Sequence, residues 1–166
     1  MSVVLERVSS EKDITNLATL ADEIWHQHFI TILSEDQIDY MVDKFQSYEA
    51  MTNQMLNQGY EYYFIVVDGE TIGYTGIKND VDKLFLSKLY IKKDFRGKHY
   101  ASEIFEQLKA VCRQRHLKSI WLTVNRFNES TIAVYEKKGF QTIRTQVTDI
   151  GEGYVMDDYV MELAVE

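Results

Sequence analysis

The stretch from Lys83 to Cys112, KLFLSKLYIKKDFRGKHYASEIFEQLKAVC, constrains the fold more than any other. Lys83 to Ile91 is dense in Leu, Phe, Tyr and Ile and is short enough for a buried or half-buried strand. Ala101, Ile104, Phe105, Leu108, Val111 and Cys112 then recur at helical spacing, the apolar stripe of an amphipathic helix. Between the two lies Arg96-Gly97-Lys98-His99-Tyr100, preceded by Asp94 as its last acid. A helix start presents unpaired N–H groups and the positive end of the helix dipole, so the segment predicts a cradle for an anion. Arg96 and Lys98 add charge, and Gly97 lets the backbone come close to a ligand. Basic residues also open helices on ordinary surfaces, and neither a nucleotide P-loop nor a dinucleotide glycine pattern is present.

The flanking pattern predicts the rest of the fold. Ser2–Val8 reads as a strand. A helix with Ile14, Leu17, Ala18, Ala21 and Trp25 on one face follows behind a serine cap. Ser34-Glu35-Asp36-Gln37 is a capping box opening a second helix, and a third spans Tyr48–Gln58 up to Gly59. Glu61–Val67 and Thr71–Lys78 flank Asp68-Gly69-Glu70, a hairpin signal. Ser119–Val124 is a strand, Asn128–Lys138 a helix ended by Gly139, and Gln141–Thr148 with Tyr154–Ala164 a last strand pair. Short links make the central three-strand meander antiparallel, while the helix joining Lys83–Ile91 to Ser119–Val124 calls for a parallel pair. The expected fold is therefore α/β, with a mixed, mostly antiparallel central sheet flanked by helices, in one domain over residues 1–166.

Composition narrows the function classes. A formal charge of −8, from 26 acidic against 18 basic residues, argues against general nucleic-acid binding. It suits a cationic acceptor as well as plain solubility. No run approaches the ~20 apolar residues of a membrane span, so no membrane partner is expected. The one cysteine, Cys112, allows no internal disulfide and points to a cytoplasmic chain.

A second segment, Ile120-Trp121-Leu122-Thr123-Val124-Asn125 followed by Asn128 to Phe140, gives the cradle its meaning. Together the two resemble the acetyl-CoA site of the GNAT superfamily of N-acetyltransferases. Arg96-Gly97-Lys98-His99-Tyr100-Ala101 matches that family's Gln/Arg-x-x-Gly-x-Gly/Ala loop, with His99 where glycine is usual. Asn128, Tyr135, Gly139 and Phe140 match its Asn-x-x-Ala-x-x-x-Tyr-x-x-x-Gly-Phe element, with Thr131 in the alanine place. The resemblance is specific over Lys83–Phe140 and looser outside it.

The resemblance implies an acetyl-CoA-dependent N-acetyltransferase of the GNAT acyl-CoA N-acyltransferase fold, working by direct attack of a primary amine in a ternary complex, without a metal. Backbone groups of Leu89, Tyr90 and Ile91 would hold the pantetheine arm and thioester. N–H groups of Arg96, Gly97, Lys98, His99, Tyr100 and Ala101 would hold the pyrophosphate. His99 would take either the left-handed φ of the glycine it replaces or an ordinary helical φ with its imidazole near phosphate. Tyr135, read alone a core residue, would protonate the departing thiolate, since a free phenol stays protonated to about pH 10. Asn128 would cap its helix and touch the cofactor, the cap alone sufficing to explain it.

The acceptor site would be walled by Trp25, His28 and Phe29 and by Tyr154, Asp157, Asp158 and Tyr159. His28 is a candidate base or a plain helix-end residue; Asp157-Asp158 is a site or a solvated pair. The last hairpin and Trp25–Phe29 most resemble the polyamine-acetylating branch, whose acceptors are small amines. A protein N-terminus or an antibiotic as acceptor, a non-catalytic acyl-CoA binder and an interaction module that keeps only the fold remain as alternatives. Neither the general base nor the oligomeric state is fixed, a homodimer included.

Overall fold

Serine side chains set where the first three helices begin. In the computed structural model, which describes residues 2–165, helix α1 (Glu11–Phe29) starts behind Ser10. The Ser10 hydroxyl accepts from Asp13 N at 3.1 Å, and Asp13 Oδ2 accepts in return from Ser10 N at 3.2 Å. That is a reciprocal capping box with aspartate in the acidic place. Ser34 caps α2 (Glu35–Gln46) through Gln37 N, and Ser47 caps α3 (Tyr48–Asn57) through Ala50 N. Of the expected stripe of α1, Ile14, Leu17, Ala21 and Trp25 are buried and Ala18 is half-buried, and Ile24 and Phe29 are buried as well.

Seven strands are present among the described residues: β1 (Val3–Arg7), β2 (Tyr60–Val67), β3 (Glu70–Asp80), β4 (Lys83–Ile91), β5 (Ser119–Asn125), β6 (Gln141–Gly151) and β7 (Tyr154–Ala164). Two further helices are α4 (Tyr100–Arg115) and α5 (Glu129–Lys137), and Lys93–Phe95 forms a single 3-10 turn. This is the expected mixed, mostly antiparallel α/β architecture. The chain divides into two compact units, one made of the residues up to Lys78 with Lys88–Ile104, the other of Asn79–Ser87 with the residues from Phe105 onward. Strand β4 runs from one unit into the other.

In the first unit the strand order is β1-β2-β3-β4. β1 and β2 pair antiparallel, Val3 opposite Val67, and β2 and β3 form the expected hairpin. Asp68 and Gly69 both take positive φ at its turn (51° and 78°), which matches the twist of the strands they join. Leu17, Ile24, Ile38, Met51, Tyr62, Ile65, Ile72 and Tyr74 fill its core. In the second unit the order is β4-β5-β7-β6. The predicted parallel pair is there, but its ladder covers only Lys83–Phe85 against Ser119–Trp121. β5 pairs antiparallel with β7 along its whole length, Ser119 opposite Ala164 and Asn125 opposite Asp158. Phe105, Leu108, Cys112, Ile120, Leu122, Val160 and Met161 form this unit's core. No helix among the described residues is long and apolar enough to cross a membrane.

Candidate functional site

The basic loop belongs to the first unit. Phe95 N and Arg96 N close the 3-10 turn onto the Lys92 and Lys93 carbonyls. The chain then takes φ of 76° at Gly97 and 66° at His99 before α4 begins at Tyr100. Of the two conformations the sequence left open to His99, the structure has the left-handed one. A histidine here holds a conformation that glycine favours. Arg96, just before Gly97, is extended (φ −78°, ψ 156°), so the two left-handed residues bend an extended chain into the start of α4. An added Cβ at Gly97 would meet nothing within 4 Å, so glycine serves the φ there and not the space. Arg96, Gly97, Lys98 and His99 are exposed, Tyr100 is buried and Ala101 half-buried. Arg96 is also tied back to the preceding strand, its Nε donating to the Ile91 carbonyl at 2.9 Å.

At the end of β4, Leu89, Tyr90 and Ile91 are half-buried. The Tyr90 ring is surrounded by aromatic neighbours of the same unit. Its centroid lies 5.8 Å from Trp25, 5.5 Å from His28, 6.1 Å from Phe29 and 5.7 Å from Tyr74. The fold thus brings Trp25, His28 and Phe29 together against Tyr90. Burial, and then the Arg96 charge, push the His28 imidazole down to about 4. His28 is therefore uncharged at neutral pH, able to accept a proton but weakly basic.

Sequence reasoning missed what stands behind this cluster. The Trp25 indole Nε1 donates to the Tyr74 hydroxyl at 2.8 Å, which donates to Gln46 Oε1 at 2.6 Å. Gln46 is 1% exposed, and each residue alone reads as an ordinary core or helix-end residue. No local spacing joins positions 25, 46 and 74.

In the second unit Tyr135 lies on α5, 8% exposed, against Phe105 (5.9 Å) and Phe140 (5.5 Å). Burial pushes its phenol well above the ordinary value, and the hydroxyl makes no hydrogen bond to a described residue. Asn128 holds the N-cap position of α5 but makes no side-chain cap hydrogen bond, against expectation. Its ψ is 67°, whereas the capping serines have ψ of 153° to 164°. That rotation takes the amide off the first-turn N–H groups. Asn128 is nevertheless buried.

The two aspartates of β7 are not a solvated pair. Asp157 Oδ1 meets Arg126 Nε at 3.1 Å, and the Arg126 guanidinium lies 5.2 Å from the Tyr159 ring centroid. Asp158, 4% exposed, stands in register between Asn125 of β5 and Gln146 of β6. Adjacent strand residues point to opposite faces, so Asp157 is matched by a cation while Asp158 is buried on the other face. Tyr154 and Tyr159, on the same strand, are half-buried. Among the described residues no three His, Cys, Asp or Glu side chains cluster as a metal site requires.

Comparison with known proteins gives the family and the fold. The model of the acetyltransferase (GNAT) family matches residues 18–140, from α1 through the end of α5. A spermidine N(1)-acetyltransferase of Thermoplasma acidophilum is 24% identical over 153 residues, covering 90% of this chain and 94% of its own. The structure of the PaiA N-acetyltransferase from Thermoplasma acidophilum in complex with coenzyme A aligns over 99% of each chain with a TM-score of 0.78 at 23% identity. A GCN5-related N-acetyltransferase from Rhodopseudomonas palustris has a TM-score of 0.80 at 14% identity, over 99% of this chain and 96% of its own. These last two likenesses are of fold. By the family match over most of its length, the chain belongs to the GNAT family and is an acetyl-CoA-dependent N-acetyltransferase.

Proposed function

We propose that the chain acetylates a small polyamine, with acetyl-CoA held by the loop from Arg96 to Ala101. The observation that carries the reading of the loop is the pair of left-handed residues, Gly97 and His99, immediately before α4. The N–H groups of Arg96, Gly97, Lys98, His99, Tyr100 and Ala101 take the pyrophosphate, reinforced by the helix terminus. Backbone groups of Leu89, Tyr90 and Ile91 take the pantetheine arm, with Asn128 as a further contact. Acetyl-CoA supplies an activated thioester.

The acceptor nitrogen forms its bond to the acetyl carbon as the carbon–sulfur bond breaks. Tyr135 gives its phenolic proton to the departing sulfur; its raised pKa keeps that proton in place at working pH. The attacking nitrogen sheds a proton. The uncharged His28 receives it in transit to water, since a group titrating at about 4 does not hold a proton at neutral pH. Trp25 lines the acceptor side with His28.

Support for a polyamine comes from the related spermidine enzyme and from the acidic balance of the chain, 26 acidic to 18 basic residues. One of the two aspartates, Asp157 or Asp158, is assigned to the distal ammonium, since adjacent strand residues point to opposite faces. Release of free thiol from acetyl-CoA, followed across spermidine, spermine, a neutral amino acid, an aminoglycoside and a peptide N-terminus, tests the reading. Spermidine or spermine is expected to react fastest, with KM rising with salt and in one of Asp157→Asn and Asp158→Asn. Faster reaction of the peptide or the aminoglycoside, with Asp157→Asn and Asp158→Asn both silent toward spermidine, removes the polyamine acceptor and leaves the acetyltransferase.

A further inference from the structure

Behind the aromatic cluster of the first unit runs a buried chain of hydrogen bonds in which every proton is assigned. The Trp25 indole can only donate, so the Tyr74 hydroxyl accepts from it at 2.8 Å and gives its own proton to Gln46 Oε1 at 2.6 Å. Gln46 Nε2 donates to the Tyr62 hydroxyl at 3.2 Å and to the Phe45 carbonyl at 2.7 Å. The Tyr62 hydroxyl donates to Gln54 Oε1 at 2.6 Å, and Gln54 Nε2 donates to the same Phe45 carbonyl at 2.9 Å. A carbonyl oxygen cannot donate. Phe45 therefore fixes which way both glutamine amides face, and Gln46 in turn fixes which way the Tyr74 proton points. Trp25, Gln46, Tyr62 and Tyr74 are between 0% and 3% exposed, so water cannot substitute for a lost partner.

The chain ties α1, α2, α3, β2 and β3 to two rings, Trp25 and Tyr74, and both rest against Tyr90 (5.8 and 5.7 Å). We infer that Gln46 is a positioning residue for the acceptor amine. It touches no reacting atom. It locks the Trp25 indole through Tyr74, and with it the wall that Trp25, Phe29 and Tyr90 present to the acceptor. The inference rests on the proposed function for the placement of the acceptor beside Trp25; the link from Gln46 to Trp25 stands without it.

Gln46→Leu removes the acceptor of the Tyr74 proton and the donor to Tyr62, while Gln54→Leu breaks only the far end of the chain. With spermidine as acceptor, Gln46→Leu is expected to raise the acceptor KM about tenfold, a change of ~1.4 kcal/mol, and to leave the KM for acetyl-CoA within about twofold. In a Trp121→Phe background, where Trp25 is the one remaining tryptophan, the same change is expected to shift the indole emission. Gln54→Leu is expected to lower stability without moving either readout. Should Gln46→Leu fail to fold, Tyr74→Phe, which deletes a single oxygen, replaces it with the same expectations. An unshifted emission overturns the inference. So does an equal rise of the acceptor KM in Gln54→Leu at equal loss of stability, since loosening in general then explains the effect. If spermidine is not turned over by the wild type, the polyamine reading fails. The emission of Gln46→Leu then decides the link to Trp25, and the acceptor KM is read with whichever amine the wild type acetylates; an unchanged KM for that amine overturns the inference.

Discussion

A Cβ added to Gly73 would fall 2.1 Å from the Tyr90 carbonyl oxygen and 3.0 Å from Ile91 Cα. The contact is backbone against backbone, so no rotamer change relieves it. Strand β3 can approach the end of β4 this closely only because position 73 has no side chain. Gly73→Ala is therefore expected to push β4 outward where Leu89, Tyr90 and Ile91 are assigned to the pantetheine arm. Overpacking of this kind typically costs about 1–3 kcal/mol, which for a chain of this size lowers Tm by roughly 2–4 °C per kcal/mol. Thermal unfolding together with calorimetric titration of acetyl-CoA checks it. A variant with wild-type Tm and affinity would show that β4 gives way freely.

His99 at φ 66° makes an unusual prediction, that a substitution toward glycine is tolerated or favourable. A non-glycine residue in the left-handed region costs roughly 1–2 kcal/mol, against about 0.5–1 kcal/mol for the extra freedom glycine has when unfolded. His99→Gly should hold or raise Tm and keep acetyl-CoA affinity. His99→Val and Gly97→Val should both weaken affinity, and more than Lys98→Ala, because they deform the loop backbone while the lysine contributes one exposed charge. The order of the four affinities is the measurement.

Tyr135→Phe is expected to reduce kcat tenfold or more, within the ~10²–10⁴-fold range of general-acid assistance, and to leave acetyl-CoA affinity unchanged. Burial raises the phenol's pKa, so its protonated fraction stays full at neutral and mildly alkaline pH. Any alkaline limb of the kcat profile below about pH 10 must therefore come from another group and persist in the variant. A wild-type kcat, in a step shown to be chemistry, would remove Tyr135 from the mechanism.

Two histidines two positions apart respond to pH in opposite senses. Both ring nitrogens of His26 face acceptors, the Asp22 carbonyl and the Asp39 carboxylate, so both bonds form only when the ring is charged. The Asp22 carbonyl first, and then Asp39, raise its pKa above 6.5. Its contribution is full below pH 6.5 and is lost as pH rises through the raised value. His28 is pushed down to about 4, so its neutral form is favoured by folding. That advantage is present above pH 6.5 and disappears as pH falls from 6.5 toward about 4. His26→Gln should then destabilise most at acid pH, by about 0.2–1 kcal/mol as for other exposed pairs. His28→Gln should make the protein less sensitive to acid over the same interval. Tm against pH for both variants should give difference curves of opposite slope.

The elements were legible because periodicity and caps are local signals. Ser10, Ser34 and Ser47 each open a helix. Alternation and short turns marked the meander, and the Asn128–Phe140 pattern placed α5 and Tyr135. The features of the site that the sequence did not show are relations between distant residues. Arg126 neutralises Asp157 across 31 positions, and Trp25, Gln46 and Tyr74 meet only once two helices and a strand have packed together. Asn128 shows the converse. A strong local preference for capping yields to a ψ set by the fold around a buried amide.

The chain of hydrogen bonds from Trp25 to Gln54 also bears on how this protein can diverge. Each member has a donor or acceptor count that its neighbours must match, so no single replacement passes unnoticed. A change at Gln46 leaves Tyr74 and Tyr62 short of a partner unless they change too, and one at Gln54 does the same to Tyr62. These positions are expected to drift as a block among descendants of a common ancestor. A lineage that swaps the whole set at once would mark the point where acceptor preference changed hands.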